Sequence, residues 1–533
     1  MESPNSRAEE ILRRRWRLVL AALFAAALLA RLPNISDYLD VDSADYVHAA
    51  RMGFWANALD YNSRPLKSLL TDAAKVVLLK ADIHIWADDA KNNDVTAYRY
   101  YHPPLFYYLL GFWIKLFGTS NAALTLLPTL IGAATAPILF WAWMALFPQQ
   151  SRIPGLVAAF FAAVDPLLSS SGKYVKGHTL FALLALLALV FFARALRDRN
   201  TRDLNLSAVL LGLCFATLEY TVFLAACCAL ALVLVRNPWV VVSRQGITIT
   251  TSFFVAVLLT FLVFALAWPA GVLKLDFIKG YLLQFRLSGR AAYEVSLGSV
   301  LKDVILAAPV MGLFCLAGAA VGLGRLFRGE VPGWLLPLIL FPLLIFAMNL
   351  PNATTKPTFF APIQPYFILL AAWGLWALVA RAGRYQAAAC GVILLLCLVV
   401  NTPSLLHAGR NAPYFWPQVL RFFETQAQPG DRVLAFNHLD ANVLAYYQPE
   451  LVVDRAFGWP SAMQETKDRI RRGEYRFVAL IGYQAPAPPR SDARLLLPGL
   501  PYYADVQEFY RPADVIKRGP DELVVELFER KQP

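Results

Sequence analysis

The sequence predicts a polytopic α-helical membrane protein of about eleven transmembrane helices, ending in a small extracytoplasmic α/β domain. Three observations predict it. Of the 533 residues, 58% are hydrophobic and only 16% are charged, whereas an ordinary soluble domain is about half apolar and about a quarter charged. Apolar runs that span a bilayer, or nearly do, recur to about residue 401. Beyond Asn401 the composition turns polar, and short strand-like and helix-like stretches alternate.

The elements follow in order. A basic N-terminus (Arg13, Arg14, Arg15, Arg17) precedes the first apolar run, 16–33. No small-residue cleavage site cleanly follows Leu32, which predicts an uncleaved signal anchor with its basic end in the cytoplasm. The next loop, 34–121, carries the acidic group Asp40, Asp42 and Asp45, with Tyr46 beside it. Further apolar runs lie near 122–147, 154–170, 179–195, 206–220, 221–235, 248–269, 302–324, 333–350, 361–381 and 385–401. The aromatic segment 102–118 either crosses the membrane or lies along its surface. If it crossed, the basic loops around Arg152, Arg194 to Arg202, Arg236 to Arg244, Arg325 to Arg328 and Arg381 to Arg384 would all face outward, against the positive-inside rule. On the surface it leaves them cytoplasmic, with the N-terminus inside and everything after about 402 outside. After Asn401, DRVLAF (431–436), a helix near 440–447, ELVVD (450–454), a helix near 460–472 and YRFVALIG (475–482) read β-α-β-α-β, which predicts a largely parallel sheet. DELVVELFER (521–530) reads as a last strand. The expected division is therefore 1–401 for the membrane domain and 402–533 for the α/β domain.

Composition also excludes. The formal charge is +12, yet the arginines sit in short loops between apolar runs, an orientation signal with no nucleic-acid stripe. All six cysteines lie inside apolar runs, so no disulfide framework is implied. No glycine-rich phosphate loop follows the first strand of the C-terminal region.

Carboxylates at a membrane edge are costly to desolvate and mark functional positions by default, which singles out Asp40, Asp42 and Asp45. The same outer face collects Lys173 and Lys176 around Tyr174, His178, Glu219 and Lys356. His102 precedes Pro103 and Pro104, which fix an extended entry into the aromatic helix.

Taken in order, DSADY (42–46), YHPPLFYYLLGFWIKLFG (101–118) and KPTFFAPIQPYFILLAAWG (356–374) resemble the polyprenyl-phosphate-sugar-dependent glycosyltransferases of the GT-C fold, a group that includes protein O-mannosyltransferases and aminoarabinose transferases. The resemblance covers about 400 residues of membrane part. It implies a membrane glycosyltransferase that moves a hexosyl or pentosyl unit from a polyprenyl-phosphate donor to a lipid, glycan or protein acceptor at the outer face of a bacterial inner membrane, with a periplasmic C-terminal domain. Asp42 aligns with the family's first-loop acid and is the expected general base. Asp40, Asp45 and Tyr46 are its expected neighbours in substrate binding. Lys356, with Lys173 and Lys176, would hold the lipid phosphate, and His178 and Glu219 would line the site. Relatives leave room for a divalent metal, with His102 as the candidate ligand here; Ser43 stands where many of them keep a second acid. The competing reading is a flippase or transporter of a lipid-linked sugar. Transporters of that kind usually show internal repeats and midplane charges, and this chain shows neither. A structural or assembly protein with a sensor domain would leave Asp42, His102 and Lys356 without a role.

Overall fold

The computed structural model describes residues 10, 12, 14–35, 38–39, 41–52, 71, 74–75, 78, 103–218, 220–234, 244–266, 308–328, 333–349, 360–408, 415–435, 438–455, 460–482, 502–517 and 524–531. The chain forms two units. One comprises Met1–Ser36, Tyr101–Trp268 and Gly280–Arg410; the other comprises Asp37–Tyr100, Pro269–Lys279 and Asn411–Pro533.

The described part of the first unit is built of helices. The apolar runs anticipated above overlap these helices: Trp16–Arg31, Asn121–Leu146, Ile153–Ala163, His178–Asp198, Thr201–Phe215, Thr221–Leu234, Arg244–Leu266, Pro309–Phe327, Leu336–Asn349, Gln364–Val379 and Gln386–Ala408. Asn121–Leu146, His178–Asp198, Gly246–Val263 and Ala388–Leu406 are long and apolar enough to cross a membrane; Leu105–Phe117, Ile153–Ala163, Gln364–Val379 and three others are shorter apolar helices. Where two helices must touch, small residues let them. Pro309–Phe327 and Gln364–Val379 cross at Gly318 and Gly374, where a Cβ on either would run into the Leu370 or Phe314 carbonyl of the other helix. This is the close backbone approach expected where lipid supplies no hydrophobic drive between helices. Leu105–Phe117 turns Phe106, Tyr107 and Leu110 inward and leaves Phe112, Leu116 and Phe117 exposed.

One expected element differs. The run 154–170 is not a single helix: Ile153–Ala163 stops, and a short helix, Pro166–Ser171, begins after Val164 and Asp165. Pro166 has no N–H and disfavours helix at the residue before it. Asp165 accordingly takes an extended conformation (ψ 119°) and caps the new helix, its carboxylate accepting from the Leu168 N–H. The helix expected at 206–220 starts earlier, at Thr201, where the Asn200 side chain caps it by accepting from the Arg202 N–H.

The second unit carries a five-stranded sheet: β1 (Arg432–Ala435), β2 (Val452–Arg455), β3 (Phe477–Gly482), β4 (Tyr510–Ile516) and β5 (Val524–Arg530), in the order β2-β1-β3-β5-β4. β1 pairs parallel with β2 and β3, but β5 runs antiparallel to both β3 and β4. The largely parallel sheet expected from the β-α alternation is therefore mixed. The alternation holds through β3; β4, which the sequence hides, then forms an antiparallel edge with β5. Five successive residues of β4 are exposed, and its register slips between Pro512 and Asp514, as suits an edge strand protected against further pairing. Leu434, Val478, Leu480, Tyr475, Tyr502, Tyr510 and Phe528 form its core.

The same unit holds the acidic helix of the first loop. Val41–Met52 packs on His438–Tyr447, burying Ser43, Ala44, Tyr46 and Val47. The Leu39 N–H donates to the Tyr447 hydroxyl at 2.8 Å. The His48 ring meets Tyr446 edge-on at 5.7 Å, and the Arg51 guanidinium lies 5.7 Å from the same ring.

Candidate functional site

In the helical unit, four segments meet at the end where His178–Asp198 begins. The Leu105 N–H donates to the Ala216 carbonyl at 2.8 Å, so the aromatic helix after Pro103 and Pro104 starts against the chain that leads to Tyr220. A Cβ on Gly177 would lie 3.4 Å from Thr217 and 3.5 Å from Phe106, which brings the loop before His178 to the same place. Phe181 stacks edge-on to Tyr220 with 6.3 Å between centroids. The fourth segment, the start of Gln364–Val379, arrives through a hydrogen bond from Gln364 Nε2 to Asp165 Oδ2 at 2.8 Å.

Beneath this end lies the most deeply buried polar cluster of the unit. Arg31 and Asp165 are fully buried, and Gln364 and Asn401 nearly so. The break after Ala163 leaves backbone carbonyls without helical partners, and a buried unpaired carbonyl is costly. Arg31 answers two of them, Nη2 donating to the Ala162 carbonyl at 2.7 Å and Nη1 to the Ala163 carbonyl at 3.3 Å. Asn401 Nδ2 donates to the Val164 carbonyl at 3.0 Å. Asp165 caps Leu168 through Oδ1 and accepts from Gln364 through Oδ2. Segments far apart in sequence thus converge on one helix break.

Past that break the chain reaches the expected anion-binding residues. Lys173 and Lys176 are 6% and 8% exposed, so they do not stand on a solvated loop. Their ammonium groups lie 5.2 Å and 4.9 Å from the Tyr174 ring centre on either side in sequence, a cation–π arrangement in which the ring offsets part of the cost of burying charge. The Thr129 hydroxyl donates to the Thr125 carbonyl at 2.7 Å and shares that hydrogen with the Gly172 carbonyl at 3.1 Å, at the start of the loop. His178 is half-buried as the first residue of its helix.

The expected residues divide as follows. Lys173, Lys176 and His178 come together on one loop and helix start. Tyr46 lies in the other unit, on Val41–Met52, and is 5% exposed. Asp42 and Asp45 belong to that same helix, but their side chains lie outside the described residues, as do Asp40, His102, Glu219 and Lys356 altogether. Among the described residues no three His, Cys, Asp or Glu groups stand close enough to hold a metal, so nothing described fits one. The sequence reading missed Asp165, Arg31, Gln364 and Asn401. A signal was available: an Asp directly before a Pro inside an apolar run is an ionisable group placed where charge is expensive.

A family model described as dolichyl-phosphate-mannose-protein mannosyltransferase matches residues 101–268. No curated protein matches the chain by sequence. Among solved structures, the chain resembles ArnT from Cupriavidus metallidurans bound to undecaprenyl phosphate, with 14% identity, a TM-score of 0.59, and coverage of 96% of this chain and 98% of that one. It also resembles the oligosaccharyltransferase AglB from Archaeoglobus fulgidus in complex with an inhibitory peptide and a dolichol-phosphate, with 11% identity, a TM-score of 0.58, and coverage of 98% and 75%. The Archaeoglobus enzyme in complex with Zn and sulfate matches at 11% identity and a TM-score of 0.56, over 86% and 67%. The fold is the GT-C fold that these structures share, as the resemblance drawn from the sequence implied. The comparisons give the flippase alternative no support.

Proposed function

We propose that this chain is a membrane glycosyltransferase that moves a sugar from a polyprenyl-phosphate donor to an acceptor on the outer face of a bacterial inner membrane. What carries the reading is the likeness of fold to ArnT along nearly the whole of both chains, joined to the family match over 101–268. The topology that goes with it has eleven crossings, a cytoplasmic N-terminus and a periplasmic region after about 402. Lipid, glycan and protein acceptors all fit this reading.

The chemistry asks little of the protein. The bond from the sugar's anomeric carbon to the donor phosphate breaks, and a bond from that carbon to the acceptor oxygen or nitrogen forms. Polyprenyl phosphate leaves with the bonding electrons, and the acceptor's proton must go to a base. Asp42 has that role, because a neutral hydroxyl is a weak nucleophile until a carboxylate takes its proton in the transition state. Lys173 and Lys176, with Lys356, supply positive charge to the phosphate as negative charge builds on it. Asp45, Asp40 and Tyr46 flank the base in sequence, and Glu219 and His178 complete the set that meets substrate. The apolar helices offer the isoprenoid tail an environment like the bilayer's own. A divalent metal, with His102 as its candidate ligand, would add Lewis-acid help at the phosphate, and no step above depends on it.

Purified protein supplied with a radiolabelled polyprenyl-phosphate sugar and an acceptor extract is expected to release free polyprenyl phosphate, and Asp42→Asn is expected to suppress that release with donor binding kept. Normal turnover by Asp42→Asn would remove the base assignment. Movement of the intact lipid-linked sugar between leaflets, with no bond cleaved, would make the protein a flippase.

A further inference from the structure

We propose that Asp165 and Arg31 are positioning residues for the donor phosphate: by holding the helix break at 164–165 they fix where Lys173 and Lys176 stand. The inference rests on the donor reading above and adds to it the residues that build the anion site from beneath.

Stability alone does not explain the pair. Arg31 and Asp165 feel each other's charge but each bonds to other groups, and even a direct buried ion pair can often be replaced by apolar side chains of similar volume at no loss. The cluster around them is also incompletely satisfied: Arg31 Nε, Gln364 Oε1 and Asn401 Oδ1 are buried with no hydrogen-bond partner among the described residues. A half-satisfied polar network is a poor way to hold helices together. It is a good way to hold one unusual backbone path. The carbonyls of Ala162, Ala163 and Val164 are each taken by a side chain from elsewhere in the unit, and Asp165 takes the Leu168 N–H. Those contacts set the direction in which Pro166–Ser171 leaves the break. That helix ends directly before Gly172, whose carbonyl lies 3.1 Å from the Thr129 hydroxyl, and the lysine pair follows at once. These parts are neighbours: a Cβ on Gly132 would lie at ordinary contact distance from Arg31 Nε, 3.6 Å, and from the Gly172 Cα, 3.8 Å, so Arg31, the helix Asn121–Leu146 and the root of the lysine loop meet at one place. A shift at the break therefore reaches Lys173 and Lys176 over a short path.

The test uses the full-length protein in nanodiscs, with a polyprenyl-phosphate sugar as substrate and polyprenyl phosphate alone as binding probe. Asp165→Asn keeps the cap through its one remaining oxygen, requires the Gln364 amide to turn so that its oxygen accepts from the new NH2 group, and removes the charge near Arg31. It is expected to raise the donor KM and the polyprenyl-phosphate Kd by about tenfold while kcat stays within about threefold. Amide exchange is expected to quicken over 166–177. Lys173→Met should shift KM in the same direction, and combining it with Asp165→Asn should cost less than the sum, since both act on one interaction. The variant Arg31→Met with Asp165→Leu separates position from stability: it is expected to keep the folded yield and melting temperature but not the donor affinity. If that double variant binds donor like the unmodified protein, the pair is only scaffold and the inference is overturned. The inference also fails, with the donor reading intact, if Lys173→Met weakens donor binding and Asp165→Asn does not. Absence of any turnover or binding of the polyprenyl donor would remove the donor reading and this inference together.

Discussion

The two units differ in how their most deeply buried charges are held. In the helical unit Arg31 and Asp165 sit fully buried among apolar helices, each tied to backbone or amide groups rather than to the other. In the α/β unit charges pair directly. Arg469 bridges Asp454 at 2.7 Å and Glu474 at 2.9 Å, Arg471 pairs with Asp505 at 2.8 Å, Arg476 with Asp431 at 2.6 Å, and Arg511 with Glu529 at 2.8 Å. The difference follows from solvent. Where water reaches, an ion pair adds about 0–1 kcal/mol and can be duplicated or lost freely. Where it does not, each charge must have a use that outweighs its desolvation, and here that use is to satisfy a broken helix.

The comparison breaks first at Asp165. Asp165→Ala leaves Arg31 buried without a counter-charge and uncaps Pro166–Ser171; a loss of about 3–5 kcal/mol is expected, read as a fall in melting temperature and folded yield in detergent. An effect under about 1 kcal/mol would mean that the helical unit treats its charges as the sheet unit does. In the α/β unit the largest effect is expected at Asp454, which is buried together with its partner Arg469. Asp454→Ala should cost about 1.5–3 kcal/mol, the usual worth of a hydrogen bond to a charged group, measured by thermal unfolding. Tyr447→Phe is smaller. It removes the acceptor of the Leu39 N–H, with an expected cost of about 1 kcal/mol and faster amide exchange confined to 38–52 and 438–447.

The smallest effect is a pH dependence. The hydrogen bonds from Arg469, and then Arg472, hold the Glu474 carboxyl below its ordinary value. A carboxylate lowered in the folded state contributes stability above its unfolded pKa, about 4.3, and that contribution fades as pH falls through the lower folded value. Glu474→Gln is therefore expected to melt slightly below the unmodified protein at pH 7, the two curves converging toward pH 3. A constant gap down to pH 3 would mean that the side chain acts by shape and not by charge.

Much of this was legible locally. Apolar runs gave the helices because length and composition act residue by residue, and β1, β2, β3 and β5 stand where alternation of type put them. The break at Asp165 was not seen, because hydropathy summed over a window treats one Asp-Pro step as noise in an apolar run. β4 was missed because Arg511, Pro512 and Asp514 read as loop; only its pairing with β5 makes it a strand. Of the expected anion-site residues, Lys173 and Lys176 stood out as cations on an expected outer loop, but their burial was not seen. Nothing near Val41–Met52 announces that it packs on His438–Tyr447, almost four hundred residues later.

By itself, then, the sequence determined the class of molecule, the helices and most strands, because apolar content, period and turn chemistry are properties of neighbouring residues. The tertiary structure alone decided which carbonyls Arg31 and Asn401 would meet, that the sheet would be mixed, and that the first-loop helix would rest on the C-terminal sheet unit. Those outcomes depend on partners distant in the chain. Buried polar groups accept only partners whose geometry satisfies them, and no local pattern records which distant residue that will be.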